Sequence, residues 1–329
     1  MKTFSIRALA AVLFFALPGA TFAQQANARP KILGIAYVEV LSSNPSASRD
    51  FYSLILGSPH FGCDWCDRTP SDSFSVNGVQ YLGLGGASSP APSNLLAEIT
   101  FFTDDTAALE KYFKSQKIAV RSDKAGGRLQ LRVKDPEGHS LAFIQWSKDP
   151  GAKPPELKPD AQIIHAGFVV HDRDAEDKFY KDVLGFRLYW HGGMKDGTDD
   201  WVDMQVPDGS SWIEYMLNVS PSADKHTLGV MDHFAVGVPD IQAAYQRLVK
   251  NGWSPSEKPK IGRDGKWQLN LYDPDDTRVE FMEFTPTDKP CCSPYTGPHP
   301  GPKQPNPPST LNVSQLTNPQ PATTAQPQL

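Results

Sequence analysis

The chain has 329 residues, 39% of them hydrophobic, with 32 Lys+Arg against 37 Asp+Glu and a formal net charge of −5. This composition excludes disorder throughout, and its mild acidity leaves no electrostatic footprint for nucleic acid. The length suits about two domains. The 30 prolines are unevenly placed and mark the boundaries.

Residues 1–23 read as a secretory signal peptide. Lys2 and Arg7 give a positive start, Ala8 to Leu17 form an uncharged apolar run, and Thr21-Phe22-Ala23 offers small residues for cleavage. The run is well short of the ~20 residues that span a bilayer. The mature chain is therefore expected to be exported, to the periplasm or beyond, with no membrane association. Loss of Lys2 and Arg7 moves the net charge from −5 to −7.

Two motifs then recur. Phe51-Tyr52 with Leu56-Gly57 returns as Phe179-Tyr180 with Leu184-Gly185, and the run ending in Asp135-Pro136 returns as the run ending in Asp273-Pro274. The second half thus copies the first, and residues 31–147 and 161–285 read as two domains. Residues 148–160, with Pro150, Pro154, Pro155 and Pro159, read as a semi-rigid linker. Each half divides again into a strand, a helix and three strands. The third quarter reads as strand 163–170, helix 173–184 and strands 186–191, 200–205 and 211–217. The fourth reads as strand 231–238, helix 240–251 and strands near 253–257, 267–272 and 278–284. The last helix rests on Ile241, Ala244, Tyr245 and Leu248 at three- and four-residue steps, with Asp240 as its cap.

Residues 286–329 hold 12 of the 30 prolines and few apolar side chains, and read as a disordered, Pro-rich tail. The four cysteines are Cys63, Cys66, Cys291 and Cys292. Export permits disulfides, all three pairings stay open, and a structural bridge is the default over a redox or zinc role.

Strand alternation singles out four polar residues. Glu280 faces opposite to Val279 and Phe281, and Glu214 repeats the arrangement one module earlier. His165 and His233 fall on the first strands of the same two modules. Two modules related by a pseudo-twofold would bring all four to one centre. Imidazole and carboxylate together suit one divalent Zn, Ni, Fe or Mn ion, with room for water or substrate. In the first half Gly34 aligns with His165, Tyr81 approximately with Glu214, Glu98 with His233 and Ala142 with Glu280, so that domain is expected to be metal-free. His191, Asp203, Lys266 and Arg278 are within reach of a substrate; Trp190, Trp201 and Trp212 are candidate pocket walls or core; His139, His171 and His226 fall near loops and read as solvated.

The repeated strand–helix–three-strand module, with Phe-Tyr…Leu-Gly after its first strand and Asp-Pro before its last, resembles the vicinal oxygen chelate superfamily. That group includes glyoxalase I, methylmalonyl-CoA epimerase, extradiol dioxygenases and bleomycin-resistance proteins. The resemblance implies an α+β fold: four βαβββ modules in two paired domains, each a curved mixed sheet forming an open cleft, with helices outside. It implies His165, Glu214, His233 and Glu280 as metal ligands, with Glu280 as the catalytic base and Glu214 opposite it. The implied activity is a glyoxalase- or epimerase-like lyase or isomerase acting on a small oxygenated substrate. Two alternatives are an Fe(II) extradiol-type dioxygenase using His165, His233 and Glu280, and a non-catalytic small-molecule-binding protein. Against the dioxygenase, no histidine lies between His233 and His299, and Asn270 stands where that family would carry a Tyr; Tyr272 is in phase but nearer the turn.

Overall fold

A computed structural model describes residues 28–59, 72–147, 149, 153, 160–254 and 257–302. The segment 1–23 read as a signal peptide, Cys63, Cys66, most of the stretch read as a linker and residues 303–329 lie outside them.

The first domain runs β1 (Ile32–Ser42), α1 (Pro45–Leu56), β2 (Asp72–Ser75), β3 (Tyr81–Gly86), β4 (Leu96–Thr103), α2 (Thr106–Ser115), β5 (Arg121–Ala125), β6 (Arg128–Lys134) and β7 (Ser140–Gln145). The second runs β8 (Gln162–Val169), α3 (Arg173–Asp177, continued by the wider π turn Lys178–Val183), β9 (Arg187–Gly192), β10 (Trp201–Gln205) and β11 (Trp212–Met216). It continues through α4 (Lys225–Met231), β12 (His233–Val238), α5 (Ile241–Lys250), β13 (Lys260–Ile261), β14 (Trp267–Tyr272) and β15 (Arg278–Glu283). Each helix begins at an Asn or Asp whose side chain accepts from a backbone N–H three residues on, as Asp240 does from Ala243 at 2.9 Å. This satisfies donors that the first turn leaves without partners.

The strands form two mixed sheets, one per domain, ordered β2-β3-β1-β4-β7-β6-β5 and β13-β14-β15-β12-β8-β11-β10-β9. In each, the first strands of two modules lie antiparallel at the centre, and the last strand of each module pairs with them in parallel. This is the α+β, paired-module fold the repeats imply. Alternation then sorts the side chains: Val279 and Phe281 of β15 join the main core, while Met282 joins the opposite face. The main core is continuous between the domains. Phe101 of the first lies edge-on to Phe186 of the second, with ring centroids 5.7 Å apart.

The expected elements need three corrections. A strand from 231 begins at His233 instead, because Asp224 caps the short helix α4 ahead of it. The strand near 253–257 is replaced by the two-residue β13 at Lys260–Ile261. Most substantially, the described part of the expected tail, 286–302, packs on the second domain. Thr296 donates its N–H to the Tyr189 carbonyl at 3.0 Å, Ser293 Oγ donates to His191 O at 2.9 Å, and Cys291 N–H donates to Arg263 O at 2.8 Å. Cys291 and Cys292 are bonded to each other in a disulfide, which selects one of the pairings left open.

Candidate metal centre

His165 lies on β8, Glu214 on β11, His233 on β12 and Glu280 on β15, the four central strands of the second sheet. Register brings them together. His233 pairs with Gly167 on β8, Glu214 pairs with Gly167 from the other side, and Ala235 stands between His165 and Glu280. Gly167 is needed because the His233 ring covers it; a Cβ there would lie 2.7 Å from His233 Nδ1.

The polar atoms converge. His165 Nε2 is 3.1 Å from His233 Nε2, 3.4 Å from Glu280 Oε2 and 3.9 Å from Glu214 Oε2. His233 Nε2 is 3.1 Å from Glu214 Oε2 and 4.0 Å from Glu280 Oε2. The His233 Nδ1–H donates to the Met231 carbonyl at 2.8 Å, which turns the Nε2 lone pair toward the cluster. Donor atoms of His165, His233 and Glu280 thus all lie within 4.8 Å of one another, a set that could hold a metal ion, and Glu214 Oε2 approaches the two imidazoles from outside that set. Arg278 Nη2 donates to His233 Nε2 at 2.9 Å and brings one positive charge to it.

Protonation states suit ligation. Burial, helped by the Arg278 charge, pulls the His233 imidazole down to about 3. Burial also lowers His165, against the pull of Glu280. Burial alone would raise Glu280, but the hydrogen bond from His165 and the Arg278 charge outweigh it and hold the carboxyl at about 2. Glu214 is pushed up by burial despite His165. Neutral imidazoles beside an ionised carboxylate are what a divalent ion requires.

A cavity of about 330 Å³ opens over the cluster. Trp190, Trp201 and Trp212 wall it, so they serve both as pocket and as apolar packing. Asp203, directly across from Glu214 on β10, is buried and lines it; burial, then the Glu214 charge, holds its carboxyl well up. Lys266 does not line the cavity. It is buried, with Nζ 4.4 Å from the centroid of Trp212 and 5.1 Å from that of Tyr295. His191 turns outward to Asp199 at 2.6 Å. Sequence reasoning missed Gln268, Asp264, Arg263 and Met194 on the cavity wall. Gln268 is in phase with Asn270 on β14; the others sit on loops without periodicity.

The first sheet lacks the set, but its alignment needs correction. Glu98 pairs with Glu39 and Tyr37 with Thr100, just as His233 pairs with Gly167 and His165 with Ala235. The counterparts are therefore Tyr37, Gly83, Glu98 and Ala142, not Gly34 and Tyr81. The Tyr37 ring covers Gly83, and Arg132 Nε donates to Glu98 Oε2 at 2.6 Å. An ion pair occupies the place of the donor cluster.

Comparison with known proteins places these findings. The profile of the glyoxalase/bleomycin resistance protein/dioxygenase superfamily matches residues 162–281. A lactoylglutathione lyase of Haemophilus influenzae is 31% identical over 124 residues, covering 37% of this chain and 92% of that protein. A probable chloroplastic lactoylglutathione lyase of Arabidopsis thaliana is 27% identical over 135 residues, covering 40% of this chain but only 38% of that protein. Among solved structures, the 2,3-dioxygenase LapB of Pseudomonas sp. KL28 superposes with a TM-score of 0.57 at 16% identity, covering 84% of this chain and 96% of that one. At that identity the likeness concerns the fold alone.

Proposed function

Since the chain belongs to the glyoxalase/bleomycin resistance protein/dioxygenase superfamily, we propose that its second domain is a divalent-metal-dependent lyase or isomerase of glyoxalase or epimerase type, acting on a small oxygenated substrate. The convergence of His165, Glu214, His233 and Glu280 carries this reading. These residues would hold a Zn, Ni, Fe or Mn ion, which when bound polarises a carbonyl or a pair of adjacent oxygens. Glu280, ionised at neutral pH, takes the proton from the carbon next to that oxygen. Glu214, whose carboxyl burial pushes up, stands on the other side of the cluster to return it. Asp203 supports Glu214 from β10, and the three tryptophans keep bulk water from the reacting carbon. The amino-terminal apolar run favours an exported enzyme, and hence a substrate met outside the cytoplasm.

The dioxygenase reading draws on one specific observation: donor atoms of His165, His233 and Glu280 lie within 4.8 Å of one another, as a two-His, one-carboxylate iron site requires. Glu214 is then an additional charge against His233, and Tyr272 is committed to Glu257 at 3.1 Å. The test loads the full-length chain with Zn, Ni, Mn or Fe(II). It measures metal content, consumption of hemithioacetals of 2-oxoaldehydes, solvent-proton exchange beside a carbonyl, and oxygen uptake with catechols. The lyase/isomerase reading expects hemithioacetal turnover or proton exchange that falls about 10²- to 10⁴-fold in Glu280→Gln. Oxygen uptake instead favours the dioxygenase. No bound metal after loading with any of these ions would overturn both enzyme readings and leave a metal-free small-molecule-binding protein.

A further inference from the structure

The two repeated sequence motifs meet each other across the domain boundary. Tyr52 of the first domain donates to Asp273 Oδ2 of the second at 3.0 Å; Tyr180 of the second donates to Asp135 Oδ2 of the first at 3.1 Å. The two contacts are pseudo-twofold copies, yet their surroundings differ. Four residues before Tyr52 stands Ser48, and four after Asp273 stands Thr277, both buried hydroxyls. At the matching places of the other contact stand Glu176 and His139. Glu176 is fully buried, and its Oε2 has no hydrogen-bond partner. His139, expected from sequence to be a solvated loop residue, packs against Phe168 with ring centroids 4.2 Å apart and planes tilted by 31°, and its Nδ1 lies 2.7 Å from Asp135 Oδ2. One donor atom from each of Asp135, His139 and Glu176 falls within 4.8 Å of the others. Among the described residues neither carboxylate has a Lys or Arg ion-pair partner.

We propose that this boundary holds a second divalent-cation site, built by Asp135, His139 and Glu176 and separate from the cleft. Two carboxylates and a neutral imidazole balance the charge of one dication. Their oxygen and nitrogen donors suit zinc or manganese. The free Glu176 Oε2 gains the partner it lacks. Because Asp135 and His139 flank the β6–β7 turn of one domain and Glu176 lies on α3 of the other, the ion pins the domains together and adds to folding stability.

The test equilibrates the full-length chain with Zn²⁺, removes free ion and measures bound zinc in wild type, Glu176→Ser, Glu176→Gln and His233→Ala. Ser at 176 copies what Ser48 supplies at the companion contact, and Gln preserves shape if Ser fails to fold. The proposal expects about one zinc fewer per chain in each Glu176 variant than in wild type. It also expects a zinc-induced rise in Tm that persists in His233→Ala and disappears when Glu176→Ser is added. Equal zinc in wild type and a folded Glu176 variant overturns it, whatever the number bound. Loss of zinc in His233→Ala alone concerns only the cleft, so the two sites fail independently.

Discussion

Gly167 shows how much of the cleft is decided by one missing side chain. Its bare backbone lets the His233 ring lie flat on β8 beside Glu214. Gly167→Ala should displace the imidazole and weaken metal binding about 10- to 100-fold, read by competition with a chelator; an unchanged affinity would refute this account of the strand. Asp264 supplies a pH test away from the ligands. Burial, against the pull of Lys266, pushes its carboxyl up to about 6. The native state thus keeps a proton that the unfolded chain has lost between about pH 4 and 6. That contribution is present below pH 4 and lost as pH rises through 6. In chelator-treated protein, wild type should lose up to about 3 kcal/mol more than Asp264→Asn between pH 4 and 7, measured by urea unfolding; parallel curves would contradict it. The four cleft donors were legible because period-two alternation and module repetition acted on the same residues. Their first-domain counterparts were misaligned because β1 carries irregularities between Ile32 and Gly34 and between Ile35 and Tyr37, which residue counting does not register.

Among the elements, the segment 286–302 departs furthest from its composition. A Pro-rich stretch carries little apolar surface of its own, so sequence reading left it in solvent. It is held by what the neighbouring strand lacks. β9 is the outermost strand of its sheet, with unpaired backbone groups, and the segment supplies partners to Tyr189 and His191. Tyr295 adds packing against Tyr189, with ring centroids 4.8 Å apart, and its hydroxyl donates to Asp264 O at 2.9 Å. Tyr295→Ala should therefore cost about 2 to 4 kcal/mol, and it should alter Trp fluorescence through Trp190. A loss below 0.5 kcal/mol would mean that the segment is not anchored there. The helix Ile241–Lys250 was legible because its cap and apolar steps are local, whereas the short α4 went unread and β13, two residues long, has no periodicity to read.

At the scale of the molecule, one apolar core spans both domains, and each domain completes the other's buried hydrogen bonds. Urea should unfold the chain in one transition seen alike by far-UV circular dichroism and fluorescence. Tyr52→Phe should lower the unfolding free energy by about 1 to 3 kcal/mol without splitting the transition; two separated transitions would refute the shared core. The Phe-Tyr and Asp-Pro motifs were legible in the sequence, but their meeting was not, since the partners lie 221 residues apart at one contact and 45 at the other. That exchange makes the two halves resemble subunits of a dimer joined by a tether. The joining chain holds each half at a high effective concentration of its mate, so assembly does not depend on dilution. Only one half needs to present the donor cluster of the cleft; at the matching place the other half holds Tyr37 and an Arg132–Glu98 pair.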